Sequence, residues 1–243
     1  PITDLPELDL TYDSSNGRYT VTYERFTAAG TYYVSFYVRD EEGNVSAPRS
    51  CYVAQIGYDD RVILVAGGDT NSAAWPAIDY LTELAYDTFR LRLFTPDHIR
   101  VLSAAPWRDL DGDGSNDIAA VAGVASLNAA LNQWARTNST DRLTLYMIGE
   151  SVTNLLALNA SECLSTNQLA AWLRDYQNTN PIPVTVVLDF SGAGAYLPSL
   201  GDPDLAETYP SATRIAIASA RIGREALFSN NGVVSFTQYL LSG

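Results

Sequence analysis

The stretch VVLDFSGAGAYL, residues 186–197, decides how the rest of the chain is read. An apolar run, PVTVVL, climbs to Asp189 and then breaks into small residues: Ser191, Gly192, Ala193 and Gly194. Such a run is the pattern of a parallel strand buried on both faces, with a sharp turn and a helix to follow. In open α/β sheets, ligand sites lie outside the carboxyl ends of the strands. Ser191 therefore stands where a nucleophile would stand. A serine there has a simpler role too, that of capping the next helix. Asp189 lies two residues earlier, on the same side of the strand, and reads as structural, capping or ordering the loop.

Outward from this stretch, strand and helix patterns alternate from residue 61 onward. RVILVAGG, residues 61–68, is a buried strand ending in glycines. Residues 73–89 follow a helical period, with Trp75, Ile78, Leu81, Ala85 and Phe89 on one face. LRLF, residues 91–94, reads as a second strand, and residues 124–136 as a helix with Leu127, Leu131 and Trp134 apolar. RLTLYMIG is a strand ending at Gly149-Glu150-Ser151, with LLALN a short strand behind it. Ser165 and Gln168 make a capping box for a helix through Tyr176. After the opening stretch, a helix is expected from about Ala193. RIAIAS, residues 214–219, is another strand, and VVSFTQYLL, residues 233–241, is a closing helix. The alternation predicts an α/β domain over residues 61–243, a mainly parallel sheet flanked by helices on both faces. Gly67-Gly68-Asp69 has the composition of a phosphate cradle, but GxGxxG and the P-loop lysine are both missing, so it reads as a plain strand-to-helix turn.

Residues 1–55 follow a different period. LDLTY, GRYTVTY and GTYYVSFYVRD alternate apolar and polar, residues 49–53 form a last strand, and Glu41-Glu42-Gly43-Asn44 is a turn. In the third strand, Tyr32, Val34, Phe36 and Val38 share one face and Tyr33, Ser35, Tyr37 and Arg39 the other. Surface tyrosines can bind sugar, but cross-strand packing is the favoured reading. A small antiparallel sheet is expected, covering its apolar face against the following domain. Residues 56–60 are a linker.

The chain has 243 residues, 47% of them hydrophobic, which suffices for one large domain or a domain and a smaller module. Its formal net charge is −13, and all 15 basic residues are arginine. So acidic a surface repels nucleic acid and anionic membranes. No apolar run has the length of a membrane span, and no signal peptide pattern is seen. Pro1 as first residue suggests a piece of a longer protein. Cys51 and Cys163 are too few for a disulfide framework, and their pairing stays open. High acidity with much Asn, Ser and Thr fits an extracellular, cell-surface or periplasmic setting.

Between the expected strands lies DLDGDGSND, residues 109–117. Asp109, Asp111, Asp113 and Asp117 occupy positions 1, 3, 5 and 9 of a calcium loop, with Gly114 at position 6. The twelfth position is Ala120 where such loops carry a bidentate Glu. A solvated acidic loop and a weak structural calcium site both fit.

The order of parts over residues 61–243 resembles the caspase-like fold shared by caspases, legumains, gingipains and related bacterial cysteine endopeptidases. The pieces are RVILVAGG, a Trp-bearing helix, the acidic Gly loop, LNAALNQWA, LTLYMIGES, VVLDFSGAG, RIAIASA and VVSFTQYLL. The resemblance implies about six strands, with LTLYMI and VTVVLD neighbours. In active relatives, the LYMIGES strand would end in histidine and glycine, and the VVLDFSGAG strand in Asp-x-Cys-x-Ser-Gly. Here Glu150 takes the histidine position, Ser151 the glycine, Ser191 the cysteine and Ala193 the serine, while Gly194 survives. The chain's single histidine, His98, and Cys163 both lie away from these positions. Residues 30–48, GTYYVSFYVRDEEGNVSAP, likewise resemble the C-terminal half of a bacterial immunoglobulin-like module.

A serine hydroxyl is a poor nucleophile without a strong base beside it, and an ionised Glu cannot protonate a leaving amine. The resemblance therefore implies a catalytically inactive, pseudo-peptidase domain, a structural or partner-binding module of a larger bacterial protein, with a protein or peptide partner. An atypical hydrolase using Ser191 with Glu150, and a calcium-dependent adhesion or carbohydrate-binding piece, are the alternatives.

Overall fold

A computed structural model describes residues 7–23, 26, 30–55, 60–136, 140–201 and 213–242. The chain divides into two compact units, Pro1–Gly57 and Tyr58–Gly243. The linker read over residues 56–60 lies outside the described residues, apart from Asp60.

The first unit is antiparallel. β1 (Thr11–Asp13) pairs with β2 (Arg18–Thr20), and β3 (Gly30–Phe36) with β4 (Arg49–Gln55). Asp13 shapes the first hairpin: its carboxylate accepts the Ser15 amide at 2.9 Å, and its carbonyl accepts Gly17 N–H. Asp40 does the same for the turn over residues 40–44, accepting the amides of Glu42 and Asn44. Tyr32 and Val34 are half-buried. On the other face, the cross-strand partners Tyr33 and Tyr52 are 81% and 70% exposed.

The second unit is built on β5 (Arg61–Gly67), all seven residues of which are buried. A central parallel strand has no solvent face, so it needs an unbroken apolar run, and RVILVA supplies one after its first residue. Its neighbours are β6 (Ile99–Ser103) and then β7 (Ile118–Val121) on one side. On the other side come β8 (Leu143–Gly149), β12 (Val184–Asp189) and β13 (Arg214–Ala218). All six run parallel, in the order β13-β12-β8-β5-β6-β7. The fold class is α/β.

Helices cover both faces. α1 (Trp75–Leu91) lays Ile78, Leu81, Ala85 and Phe89 on Val62, Leu64, Tyr146 and Ile148. α5 (Phe236–Ser242), the last helix, adds Phe236 and Leu241 to that face. On the opposite face, α2 (Val124–Ala129) continues as a π-helical turn over Ala130–Trp134. With α3 (Thr166–Thr179) it packs Leu127, Leu131, Leu169, Leu173 and Tyr176 on Ile63, Val65, Leu145, Met147, Val186 and Leu188. The Ser165 hydroxyl accepts the Gln168 amide at 3.2 Å and starts α3. Between β8 and α3 run three short strands, β9 (Ser151–Val152), β10 (Leu155–Ala157) and β11 (Cys163–Leu164). α4 (Leu197–Leu200) is one turn, preceded by a 3₁₀ turn over Ala193–Ala195. β14 (Phe228–Ser229) and β15 (Val234–Ser235) form a hairpin. Its turn holds Asn230, Asn231 and Gly232 at φ +50°, +51° and +94°. Gly232 donates to Ser229 O and lies against Leu81 and Tyr80 of α1.

Two sequence expectations are corrected. LRLF is not a strand: α1 runs on to Leu91, Arg90 Nη1 donates to Phe94 O at 2.9 Å, and Phe94 folds back edge-on to Phe89. The second strand is instead IRVLS, β6. The last positions of the calcium-loop pattern, through Ala120, fall instead in the edge strand β7.

Candidate functional site

The chain leaves β5 for β6 and β7 on one side and returns to start β8 on the other. The strand order therefore switches direction between β5 and β8, and a crevice is expected at their carboxyl ends. Gly67 and Gly149 face each other there. Both must be glycine: a Cβ on Gly67 would meet Ala157 O at 2.2 Å, and one on Gly149 would meet Gly67 O at 2.6 Å. The short β10 strand is thus laid directly on the strand ends.

Glu150 follows at once. Its Oε2 accepts the Asp69 amide at 2.9 Å. Its side chain lies over Gly68, whose φ of +138° and missing Cβ leave the room: a Cβ there would be 2.8 Å from Oε2. The carboxylate is therefore held by the β5-to-α1 turn. Ser151 begins β9, opposite Leu156.

β8 and β12 are neighbours, with Ile148 opposite Asp189, so Glu150 and Ser191 emerge at one edge of the sheet. They do not bond to each other among the described residues. The Ser191 hydroxyl accepts the Ala226 amide at 3.0 Å and makes no cap to the turn that follows it. The helical start after Ser191 instead runs through Gly192, at φ +76°.

Asp189 has no exposure to water. Its Oδ2 accepts from Thr237 N at 3.1 Å and from Thr237 Oγ1 at 2.6 Å, at the first turn of α5. Tyr146 OH donates to Thr237 Oγ1 at 3.1 Å, which completes a buried chain from β8 through α5 to β12. Burial pushes the Asp189 carboxyl above its ordinary range, and the Thr237 hydroxyl and amide pull it back. Ser219 Oγ also lowers it, from outside hydrogen-bond geometry, and Oδ1 has no bonded partner among the described residues. Asp189 therefore ties a helix to the sheet. It caps a helix 48 residues further along the chain, where the sequence suggested the loop beside it.

His98 closes a 3₁₀ turn just before β6, its Nδ1 bonded to Thr95 Oγ1 at 2.7 Å. In a parallel sheet, the start of β6 is the edge opposite the ends of β8 and β12. Cys163 is half-buried in β11 and Cys51 exposed in β4, and both are free thiols.

In the acidic loop, one oxygen each of Asp109, Asp111 and Asp117 comes within 4.8 Å of the others. Asp113 is not part of that group; its Oδ1 accepts the Ser115 amide. The loop also binds itself: Asp109 accepts the amides of Gly112 and Gly114, and Asp117 accepts Leu110 N and Tyr86 OH. Burial, and after it the charges of Asp117 and Asp111, push the Tyr86 phenol up to about 12.

Sequence reasoning missed the partners of the two central groups. Asp69 and Ala226 serve through backbone amides, which every residue but proline carries, so residue type gave no signal. Tyr196 is another: its OH accepts Leu156 N–H at 3.0 Å and donates to Leu164 O, fastening β10 and β11 to the turn after β12. The chain matches no family model and no curated protein.

Proposed function

We propose that residues 61–243 are a catalytically inactive domain related to the caspase-like cysteine peptidases, serving as a structural or partner-binding module of a larger bacterial surface or secreted protein. The observation that carries this reading is the state of the two groups at the dyad positions. Glu150 is engaged with the Asp69 amide and Ser191 with the Ala226 amide, and the chain's single histidine sits at the other edge of the sheet. A serine whose oxygen accepts an amide, with no imidazole beside it, has nothing to take its proton. The kinship is supported by the placement of LTLYMI beside VTVVLD, which brings both dyad positions to one edge. The antiparallel first unit, similar to part of an immunoglobulin-like module, suits a spacer or presenting role.

The test is hydrolysis of a broad peptide panel by wild type, Ser191→Ala, Ser191→Cys and Ser191→Cys with Glu150→His. Wild type and the single cysteine variant are expected to be inactive, the latter because the chain's single histidine, His98, lies at the opposite edge of the sheet from its thiol. Hydrolysis by wild type that Ser191→Ala abolishes would replace this reading with an atypical serine hydrolase.

The acidic loop is the ground for a second reading, a calcium-dependent adhesive or carbohydrate-binding piece, since Asp109, Asp111 and Asp117 converge. On that reading, calcium raises the melting temperature of chelator-treated protein and gives heat in calorimetry. No heat at millimolar calcium, the weak end of known sites, leaves a solvated loop.

A further inference from the structure

The turn after β12 is covered by a segment of the same chain. Between β13 and β14, residues 220–227 run without regular secondary structure, and four hydrogen bonds to other described parts of the chain tie them down. Gly194 N–H donates to Ala220 O at 2.7 Å and Gly192 N–H to Arg224 O at 2.8 Å. In return, Ala226 N–H donates to Ser191 Oγ and Gly223 N–H to Asn154 Oδ1, both at 3.0 Å. Asn154 joins the two layers. Its side chain fills the space over Gly192, where a Cβ would lie 2.0 Å from Oδ1. It is presented by the two-residue turn between β9 and β10, in which Thr153 and Asn154 both have positive φ, +52° and +63°. Asn adopts that conformation readily, whereas a β-branched Thr is strained in it. Such strain persists where the surroundings fix the backbone for a purpose.

Among the described residues, apolar burial holds the segment only at its start, where Ala220 is buried and the backbone of residues 220–222 lies against Gly194. Residues 221–225 are all exposed, and Ile222 and Leu227 are 67% and 59% in water. Polar bonds over few buried apolar contacts mark the parts of a fold that open first. We propose that residues 220–227 are a strap that opens as one unit, with Asn154 as its clasp, and that opening bares the Ser191 hydroxyl and the Gly192 and Gly194 amides to a ligand. The strap's own carbonyls now occupy those two amides. A ligand offering carbonyl or carboxylate oxygens must therefore displace it, and binds more weakly by the fraction of time the strap is open. Such a device works whether or not the domain descends from a peptidase.

Amide hydrogen exchange on the whole chain tests this. In wild type, the amides of Gly192, Gly194, Gly223 and Ala226 should share one protection factor, well below those of β5 and β8. Asn154→Ala should speed all four together, by about tenfold for the one hydrogen bond lost, and leave β5 and β8 unchanged. Faster exchange at Gly223 alone, or four amides as protected as the sheet, would overturn the proposal. If the variant does not fold, wild type in low denaturant decides: a common, shallow denaturant slope for the four supports the strap, and four unrelated slopes refute it.

Discussion

A carboxyl group shut away from water resists ionising, and Asp189 is such a group, bonded only through Oδ2 among the described residues. Its folded-state pKa lies above the ordinary 3.8. The stability linked to it is therefore full below the unfolded value and declines as pH rises through the folded one. Asp189→Asn removes that decline. In urea melts over a pH series, the variant should gain on wild type as pH rises from acid toward neutral. The gain is about 1.4 kcal/mol for every tenfold by which folding weakens the acid. A difference independent of pH would mean that Asp189 is ordinary. A second residue-scale test is steric. Gly67→Ala drives a methyl group into the Ala157 carbonyl at 2.2 Å, backbone against backbone. A loss of about 1–3 kcal/mol is expected in denaturant midpoints, since neither strand end can yield cheaply.

At the level of elements, the Ser165 cap gives a clean prediction. Ser165→Ala leaves the Gln168 amide without its acceptor and should lower stability by about 1 kcal/mol in thermal or urea melts. The same cap was legible from sequence because capping uses side-chain identity. So was β5, since a buried parallel strand must be apolar throughout. LRLF misled for the opposite reason: four residues alternate equally well in a strand and in the fraying end of a helix. β7 hid behind the acidic loop because IAAV is short and small. The helix over residues 124–136 was seen, but not its π turn, which follows from packing more than from residue type. At the site, the resemblance implied that LTLYMI and VTVVLD are neighbours, and their pairing does bring Glu150 and Ser191 to one edge. Their bonding partners could not be read, for those are amides supplied by folds of the chain 81 and 35 residues away.

Among the described residues of the second unit, the largest fully buried side chains are four tyrosines, Tyr86, Tyr146, Tyr176 and Tyr196. Each commits its hydroxyl to a bond that crosses between elements: to Asp117, Thr237, Ala135 O and Leu164 O respectively. Burial is the main reason that Tyr86, Tyr176 and Tyr196 are pushed up to about 12, and Tyr146 is raised too. A phenol that ionises more easily unfolded, near 10.0, contributes stability that is full below that pH and is lost as pH rises through the folded value. The unit should therefore unfold cooperatively above about pH 10, with the phenolate absorbance of the four appearing only as the circular dichroism of the sheet disappears. Buried phenols titrating ahead of unfolding would contradict this.

The tight turn at Asn230–Gly232 has a consequence for the protein's chemical ageing. Asparagine before glycine loses ammonia through a cyclic imide when the glycine nitrogen swings onto the side-chain carbonyl. At Asn231 that nitrogen is already donating to Ser229 O, with the glycine wedged against α1. Ring closure must wait for the hairpin to lift. Isoaspartate at position 231 in stored protein is thus a slow clock for how often this corner of the fold comes apart, one that keeps its count after the fold has closed again.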